Sequence, residues 1–400
     1  MLRSTSFIIE MIVGEIVMRN CKLGLLFLLV FVILIYPVKE VWASVPKDFS
    51  ISAQAAILIE QSSGRVLYAK QEHEKLRIAS ITKIMTAILA IESGKMDEVV
   101  TVSDRAFGTE GSSIYLRVNE KIQLEDLVYG LMLRSGNDAA VAIAEHVGES
   151  VEGFVLLMNQ KAEELGMNNT MFQNPHGLDD HEDHYSSAYD MALLTQYAME
   201  NEQYREISAT KTYKVDSEEI RVFKNKNRML TEFYPYSTGG KTGYTKRAKR
   251  TLVSTASKEE MDLIVVTINA PSDWYDHLHL FEWAYEHYQL ETLVAKGKLK
   301  GVNDPFYKDQ LFTKKEVTYP LSSDEKDQLR YEMTLVRGEE NKEPENVNTS
   351  EPIGKLQFSV GEQVIEAVPL FLEPKEKVKK GFWSRWFGLF AYTLGVNRDD

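Results

Sequence analysis

The stretch of sequence that decides the fold is IASITKIMTAILAIE, residues 78–92. From Ile84 onward its side chains are apolar nearly all the way round a helix, a pattern typical of a helix buried inside a domain and not of one lying on its surface. Ser80 and Lys83 open this segment three residues apart, so they lie on one face about a turn from each other. The stretch therefore predicts a buried helix with a hydroxyl and an amine at its N-terminal end.

The segments on either side of this helix predict a sheet. Before it, strand-like runs at Ala55–Ile59 and Val66–Tyr68 flank a turn composition at 61–64, which indicates a hairpin. After it, apolar residues recur with helical spacing near 123–133, 138–147, 151–165 and 189–200. Strand-like runs then return, followed by an amphipathic segment, at 237–244, 251–256, 263–269 and 273–288. This order predicts an α/β (α+β) domain, an antiparallel sheet covered by helices, in which the first and last strands share the sheet.

Beyond about Leu293 the chain changes to short stretches of alternating apolar and polar residues. They lie at 317–321, 331–336, 355–360 and 364–370. Alternation with a period of two is typical of half-buried strands. The region 293–374 is therefore predicted to form a small all-β domain, with a solvated loop rich in Glu and Asn at 337–352.

The last segment, 375–400, has the composition of an amphipathic membrane anchor. Four lysines precede large apolar residues that share one helical face, namely Phe382, Trp383, Trp386, Phe387, Phe390 and Leu394. The apolar part, about 15 residues long, is shorter than the ~20 residues that a spanning helix requires, so it should lie in the plane of the membrane surface. The alternative is a helix docked on the protein's own surface.

The first 43 residues have the features of a secretory signal. Arg19 and Lys22 precede an apolar run at 23–36, and a small residue for cleavage follows at Ala43. A buried core helix is the alternative, and acidic residues before Met18 make that methionine a candidate initiator. Cys21, the only cysteine, lies in this segment, so the exported chain is expected to have no thiol and no disulfide.

The overall composition excludes one class of partner. Of the 400 residues, 44% are apolar, which is enough for a substantial core. A formal net charge of -13 argues against nucleic acid, whose phosphates favour clustered Lys and Arg. The segments above divide the chain into an extension with signal peptide at 1–43, a catalytic domain at 44–292, a β-rich domain at 293–374 and an anchor at 375–400.

Three short motifs occur in order along the domain at 44–292. They are Ser80-Ile81-Thr82-Lys83, Ser135-Gly136-Asn137 and Lys241-Thr242-Gly243. Each is common by chance when taken alone. Together they are informative, because the first opens a buried helix, the second follows the C-terminal turn of an apolar helix, and the third ends a strand. We expect all three motifs to meet in one cleft.

Ser80 and Lys83 are predicted to act as nucleophile and general base. A lysine accepts a proton only in its neutral form, and burial and the positive end of the helix dipole both disfavour the charged form of Lys83. Lys241 would add a like charge. The backbone N–H of Ser80, with a second donor from Tyr244 on the facing strand, is expected to bind the developing oxyanion.

The second and third motifs are predicted to complete the cleft. Ser135, a hydroxyl between two lysines, is expected to relay a proton to the leaving amine, while the Asn137 amide binds a substrate peptide group through donor and acceptor. Lys241 and Thr242 suit a terminal carboxylate, which an exopeptidase must recognise. The strand that ends at Gly243 is expected to pair with an extended peptide, and glycine lets the acyl group approach closely.

With these motifs the chain resembles the low-molecular-weight penicillin-binding D,D-carboxypeptidases over roughly residues 45–375. The specific runs are IASITKIMT at 78–86, LRSGNDAA at 133–140 and NPHGL at 174–178. The resemblance implies a penicillin-recognising domain, a sandwich-like second domain and an amphipathic C-terminal helix on the outer face of the cytoplasmic membrane. It implies removal of the terminal D-alanine from peptidoglycan stem peptides ending in D-Ala-D-Ala, through an acyl-enzyme, and acylation by β-lactam antibiotics.

The resemblance also implies roles for individual residues. It assigns the site to Ser80, Lys83, Ser135, Asn137, Lys241, Thr242 and Gly243. The run AKRTL at 248–252 is most similar to the sporulation-associated members, and it makes Arg250 a candidate for an extra substrate contact. No cofactor and no metal are predicted.

Three other interpretations of the sequence are open. A β-lactamase needs a carboxylate that positions water for deacylation, and Glu164 with Asn168 has the matching spacing, although a solvated charge at a helix end is the simpler interpretation. A catalytically silent scaffold that binds peptidoglycan is the second. The third is a metal site at 181–184, where four adjacent polar residues rarely converge on one ion and a solvated loop is expected instead.

Overall fold

The structure is a computed structural model that describes residues 50–215, 221–302, 307, 310–335 and 351–373. The predicted signal at 1–43, the predicted anchor at 375–400 and nearly all of the predicted loop at 337–352 lie outside the described residues. These three interpretations therefore stay predictions.

The long helices and the strands of the main sheet follow the order that the sequence patterns predicted. The helices of the described residues are α1 Lys83–Glu92, α2 Asp104–Phe107, α3 Leu124–Tyr129, α4 Asn137–Val147, α5 Val151–Glu164, α6 Ala188–Glu200, α7 Glu202–Ala209, α8 Asp273–His287 and α9 Ser323–Asp327. The strands are β1 Ala55–Glu60, β2 Val66–Lys70, β3 Val99–Thr101, β4 Lys121–Gln123, β5 Thr212–Val215, β6 Arg221–Lys224, β7 Ser237–Thr245, β8 Lys249–Lys258, β9 Met261–Ile268, β10 Gln289–Val294, β11 Gly297–Lys298, β12 Leu311–Thr313, β13 Val317–Leu321, β14 Leu329–Leu335, β15 Gly354–Val360 and β16 Gln363–Leu372.

Five strands form one antiparallel sheet in the order β2-β1-β9-β8-β7. All six residues of β1 are buried and pair with β9, which places the first and last strands of the domain side by side. Along β9, Ile264 and Val266 join the helical core while Thr267 faces His277 of α8, as the alternation of a strand requires. The predicted fold class is confirmed, and β7 is one of the two edge strands of the sheet.

The predicted buried helix is α1, and it packs against α4, α5 and α6. Ala79–Thr82 form a 3-10 turn that runs directly into it, so α-helical geometry begins at Lys83 and not at Ser80, where the sequence pattern placed it. Short 3-10 turns are common at helix N-termini. Ala79 has a φ of +49°, a conformation that disfavours a regular helical start before Ser80.

Several short elements were not predicted from the sequence. They include the pairs β3–β4 and β5–β6, the helices α2, α7 and α9, and two single π-helical turns at Gly130–Arg134 and Met229–Phe233. Each is too short to show a clear hydrophobic period, and π-helical turns have no sequence signal of their own. Both π-helical turns lie next to strands or motifs that form the cleft.

The described residues from 289 onward form a β-rich unit, as predicted, although they also include the short helix α9. It has the sheet β11-β12-β16-β15-β14 and the pair β10-β13. Its apolar core consists of Val294, Tyr307, Leu311, Leu356, Phe358, Val368, Leu370 and Leu372. Strand β10 begins at Gln289 and spans the predicted boundary between 292 and 293, which itself stays a prediction.

Arg65 connects this β unit to the hairpin of the first domain. Its guanidinium pairs with Glu325 and donates to the carbonyl of Pro320. The same group lies over the rings of Tyr288 and Tyr319, at 5.3 and 5.0 Å from their centroids. Arginine suits this role because its planar cation both stacks and forms an ion pair.

In the described part of the chain, no helix combines the length and the apolar character that crossing a membrane demands.

Candidate active site

Lys83 lies at the centre of a hydrogen-bonded group on the helical side of the cleft. Its Nζ is 3.0 Å from Ser80 Oγ, 2.7 Å from Asn137 Oδ1 and 2.7 Å from the backbone carbonyl of His176. A neutral amine has two N–H donors and one lone pair. The two oxygens of Asn137 and His176 match the donors, which leaves the lone pair for the Ser80 hydroxyl.

The surroundings of Lys83 favour this neutral form. Its side chain is 0% exposed, and burial is the main cause that lowers its pKa well below the ordinary value. The charges of Lys241 and Lys226 lower the pKa further, while Asp138 opposes them. Burial and the like charge of Lys241 are two of the three causes expected from the sequence, and both act in the predicted direction, while the helix dipole stays a prediction.

The second motif forms the wall of the cleft beside Lys83. Ser135 follows the π-helical turn with a φ of +64°, and this left-handed conformation turns the chain into α4. Asn137 begins α4, where its amide donates to the carbonyl of Glu110 at 2.6 Å while its oxygen binds Lys83. The sequence predicted an amide used by the substrate. Each of its polar atoms has one such protein partner and keeps a further N–H or lone pair, so Asn137 positions Lys83 while its contact with the substrate stays a prediction.

The third motif lies on β7, opposite the helix. Lys241 Nζ donates to Ser135 Oγ at 3.1 Å and to the carbonyl of Thr242 at 2.8 Å. The side chain is 1% exposed, and burial together with the charge of Lys226 lowers the pKa of Lys241 to about 7. The sequence predicted that the Ser135 hydroxyl lies between two lysines. It accepts a hydrogen bond from Lys241, whereas the hydrogen bonds of Lys83 go to Ser80, Asn137 and His176.

Gly243 lies where β7 passes close to Ser80. A Cβ at this position would lie 2.9 Å from the backbone nitrogen of Ser80 and would overlap Thr251 Oγ1. Thr251 in turn donates to the carbonyl of Ile78 at 2.9 Å, which ties β8 to the turn before Ser80. A side chain at Gly243 would therefore cover the N–H that the sequence assigns to the oxyanion.

All three motifs meet in one cleft, as predicted. It has a volume of about 300 Å³. Its lining residues are Ser80, Ser112, Ser135, Lys226, Thr242, Gly243, Tyr244, Arg250, Asp273 and Trp274. Lys83, Asn137 and Lys241 lie directly beneath this lining, within hydrogen-bond distance of it.

The comparisons with known proteins agree with this geometry. A family model described as D-alanyl-D-alanine carboxypeptidase matches residues 40–272, more than half of the chain. The chain belongs to this family. A second model, described as the C-terminal domain of penicillin-binding protein 5, matches residues 288–380. The resemblance inferred from the motifs to the low-molecular-weight penicillin-binding proteins, which are serine peptidases, is confirmed.

Individual relatives of this D-alanyl-D-alanine carboxypeptidase cover most of its length. D-alanyl-D-alanine carboxypeptidase DacF of Bacillus subtilis is 37% identical over 274 residues, 65% of this chain and 70% of the relative. DacC of Escherichia coli is 36% identical over 259 residues, 61% of this chain and 64% of the relative. The solved structure of penicillin binding protein 5 from Haemophilus influenzae is 25% identical with a TM-score of 0.69, and the match covers 83% of this chain and 99% of that one.

The carboxypeptidase site includes residues that the sequence motifs did not reveal. Lys226, Ser112 and Trp274 line the cleft, and Lys226 Nζ lies 3.4 Å from Ser112 Oγ. Arg250, predicted as an extra contact, also lines it. None of these residues belongs to a hydrophobic period or to a motif with fixed spacing. The run around Arg250 was the one hint that the sequence offered.

The loop at 174–185 packs behind Lys83. It includes residues 181–184, which were considered above as a metal site. Gly177, with a φ of +84°, lets the loop approach the carbonyl of Ala79, where a Cβ would overlap it. His184 is buried, with Nε2 2.9 Å from Thr82 Oγ1, and burial is the main cause that lowers its pKa to about 3. The expectation of a solvated loop at 181–184 is thus wrong for His184, because its ring fills the space behind the 3-10 turn at Ala79–Thr82.

Glu164, the residue considered for water activation, lies away from the cleft. It ends α5, is mostly exposed, and pairs with Lys161 at 3.1 Å. It is not among the residues that line the cleft in the described part of the chain. The simpler interpretation of Glu164 as a solvated charge at a helix end accounts for its position.

Proposed function

We propose that this D-alanyl-D-alanine carboxypeptidase removes the terminal D-alanine of peptidoglycan stem peptides through an acyl-enzyme on Ser80. The observation that carries the proposal is the 3.0 Å distance between Lys83 Nζ and Ser80 Oγ, with the two N–H groups of a neutral amine engaged by Asn137 and His176. The lone pair of such an amine has one partner left, and that partner is the nucleophile's proton.

Acylation begins when Ser80 Oγ attacks the carbonyl carbon of the penultimate D-alanine. The hydroxyl proton moves to Lys83 Nζ, and the carbonyl oxygen becomes an oxyanion. The backbone N–H groups of Ser80 and Tyr244 are the proposed donors to that oxygen, in the narrow space that Gly243 keeps open.

The tetrahedral intermediate then breaks its C–N bond, and the terminal D-alanine leaves as an amine that needs a proton. The proton that Lys83 took from Ser80 passes to this amine with Ser135 as the proposed relay, and Lys83 becomes neutral again. The hydroxyl of Ser135 accepts from Lys241 at 3.1 Å and lines the cleft close to the Ser80 side. Water then attacks the ester carbon and gives a proton to Lys83. As the bond between that carbon and Ser80 Oγ breaks, Lys83 passes the proton to Oγ, which frees the shortened peptide and restores Ser80.

The leaving D-alanine has a free carboxylate, and the cleft has cations to bind it. Lys241, Thr242 and the newly found Lys226 lie together on this side. Because a carboxylate accepts charge-assisted hydrogen bonds, this cluster favours a chain end over an internal peptide bond. The preference supports a carboxypeptidase over an endopeptidase.

The edge position of β7 supports binding of an extended peptide. In the described residues, β7 pairs only with β8, so its outer backbone groups face the cleft. An added strand would obtain main-chain hydrogen bonds from this edge. Substrate contacts by Thr242, Gly243 and Tyr244 follow from such pairing.

The test incubates purified protein with a peptide ending in D-Ala-D-Ala and, separately, with labelled penicillin. Wild type should release free D-alanine and form a covalent adduct, and Ser80→Ala should do neither. Hydrolysis of penicillin at many turnovers per second would favour the lactamase alternative. Absence of both signals in the wild type would favour the silent scaffold.

We also propose that the enzyme is exported and attached to the outer face of the cytoplasmic membrane, with the organisation 1–43, 44–292, 293–374 and 375–400. The sequence supports this: a basic flank and apolar run precede Ala43, and two tryptophans follow four lysines in the tail. Deletion of 376–400 should release the protein from membranes. Continued membrane binding would contradict the anchor. A role in sporulation is part of the same proposal, and it is supported by the run at 248–252, which is most similar to the sporulation-associated members.

A further inference from the structure

Arg250 lies beside the cleft on β8, directly across from Tyr244 of β7. Paired residues on neighbouring strands project from the same face of a sheet. Both residues line the cleft together with Trp274. No step of the proposed mechanism uses Arg250, although its position makes it accessible to substrate.

The side chain of Arg250 is held in a fixed position. Its Nε donates to Asp273 Oδ1 at 2.9 Å and its second terminal nitrogen lies 2.8 Å from the same oxygen. The guanidinium carbon lies 5.4 Å from the centroid of the Trp274 ring. Asp273 also accepts the N–H of Trp274, so the residue that holds Arg250 is fixed by its own helix.

This arrangement leaves part of the guanidinium for a ligand. Arginine has five N–H donors, and the contacts with Asp273 use those of Nε and one terminal nitrogen. The side chain is 40% exposed, toward the cleft that it lines. A rigid arginine with free N–H groups in a cleft suits a planar anion.

The direction of the substrate along β7 places a specific group near Arg250. Lys241 and Thr242 come first and are assigned to the terminal carboxylate. Gly243 and Tyr244 follow and are assigned to the scissile carbonyl. The residue before the D-alanine pair must then pass Tyr244, which is the position that pairs with Arg250.

We propose that Arg250, positioned by Asp273 and Trp274, binds a carboxylate on the side chain of the residue that precedes the D-alanine pair. The inference rests on the proposed function, since it uses the same peptide in the same direction. It makes the cleft selective for stem peptides whose diamino acid has a side-chain carboxylate. Asp273 is the only acidic residue lining the described cleft and is already paired, so the free charge there is positive.

The test compares peptides X-D-Ala-D-Ala in which X has either a side-chain carboxylate or the matched amide. Glutamate with glutamine, and 2-aminopimelate with its side-chain amide, provide two lengths. For wild type we expect kcat/KM to be about tenfold higher for the acid than for the amide at one length or both, as a charge-assisted hydrogen bond at a half-exposed site allows. In Arg250→Gln the ratio should fall to about one.

Two control variants separate Arg250 from the general charge of the cleft. Lys246→Gln removes an exposed cation from the turn of the same hairpin and should keep the ratio of acid to amide. Lys226→Gln should weaken acid and amide peptides alike, because both end in the same terminal carboxylate. Loss of the ratio in either control, or its persistence in Arg250→Gln, would overturn the assignment.

The outcomes also distinguish this inference from the function on which it rests. If wild type releases D-alanine from acid and amide peptides at equal kcat/KM, Arg250 does not bind the side-chain carboxylate, while the carboxypeptidase function stands. If wild type releases D-alanine from none of the peptides, both proposals fail.

Discussion

The catalytic domain and the C-terminal β unit differ in what they bury. Around the cleft, the catalytic domain buries Lys83, Lys241 and Asp138. In the described part of 289–373, Thr313 is the only buried polar residue. Burying a charge costs free energy unless it is paired, so a fold tolerates it where function requires it. The difference places the buried charges in the first domain, around the cleft.

The largest expected effect comes from Lys83, whose burial distinguishes the two regions most strongly. Lys83→Met and Lys83→Arg should each lower the rate of Ser80 acylation by about 10³-fold, because methionine has no lone pair for the proton and arginine stays charged. Labelled penicillin binding followed over time measures the rate.

Of the two variants, Lys83→Arg distinguishes more clearly between a base and a cation at this position. Arginine supplies a fixed positive charge and hydrogen-bond donors but no lone pair, so retention of more than a tenth of the wild-type rate would mean that Lys83 acts as a cation and not as a base. Circular dichroism would show that both variants remain folded.

A smaller effect is expected at Gly243. In Gly243→Ala, the new Cβ would lie 2.9 Å from the nitrogen of Ser80 and would displace a donor from the oxyanion. The loss of one such donor typically lowers kcat by about 10²-fold. Steady-state release of D-alanine measures kcat.

The double variant Gly243→Ala with Thr251→Ala isolates the cause. It removes the overlap with Thr251 Oγ1 but keeps the contact with Ser80. Recovery of activity in the double variant would show that strand separation, and not the oxyanion donor, had caused the loss.

The sequence predicted the parts of this site that depend on local spacing. Ser80 and Lys83 are one turn apart in any helical turn, so their 3.0 Å contact needs no tertiary information. The same holds for the long elements, since α4, α5 and α6 have enough residues to show a hydrophobic period. The strands of the sheet were found because β1 and β9 are nearly continuous apolar runs.

What depends on tertiary contact could not be predicted. Lys226 and Trp274 enter the cleft from a loop and a helix start that have no motif, and their partners are distant in sequence. The carbonyl of His176 binds Lys83 across 93 positions, a contact that a backbone atom gives without any sequence signature. His184 has the composition of a surface loop, yet tertiary packing buries it.

A still smaller effect concerns pH and Lys241. Its pKa of about 7 means that it is charged below that pH and neutral above it. A neutral amine binds a carboxylate more weakly, so kcat/KM for a D-Ala-D-Ala peptide should fall about tenfold per pH unit above the pKa of the free enzyme. A pH profile of D-alanine release measures it.

The matched control is a peptide with a C-terminal amide. It lacks the carboxylate, so its slower hydrolysis should show no decline on the alkaline side that is due to Lys241. An equal decline for both peptides would assign the titration to another group. On the acid side, the lowered pKa of Lys83 predicts that acylation persists at a pH where an ordinary lysine would be fully charged.

The smallest effect on the acylation rate is expected for substitutions in the β unit. Such substitutions test directly whether the β unit and the catalytic domain differ in their roles. Leu370 in the β unit and Ile88 in α1 are both 0% exposed. Truncation of either to alanine should lower the free energy of unfolding by about 2–5 kcal/mol. Ile88→Ala should also slow acylation, because α1 carries Lys83, whereas Leu370→Ala should lower the melting temperature and leave the acylation rate unchanged. If Leu370→Ala slows acylation as much as Ile88→Ala, the two units are coupled, and the route to examine is Arg65, whose contacts with Glu325 and Tyr319 join them.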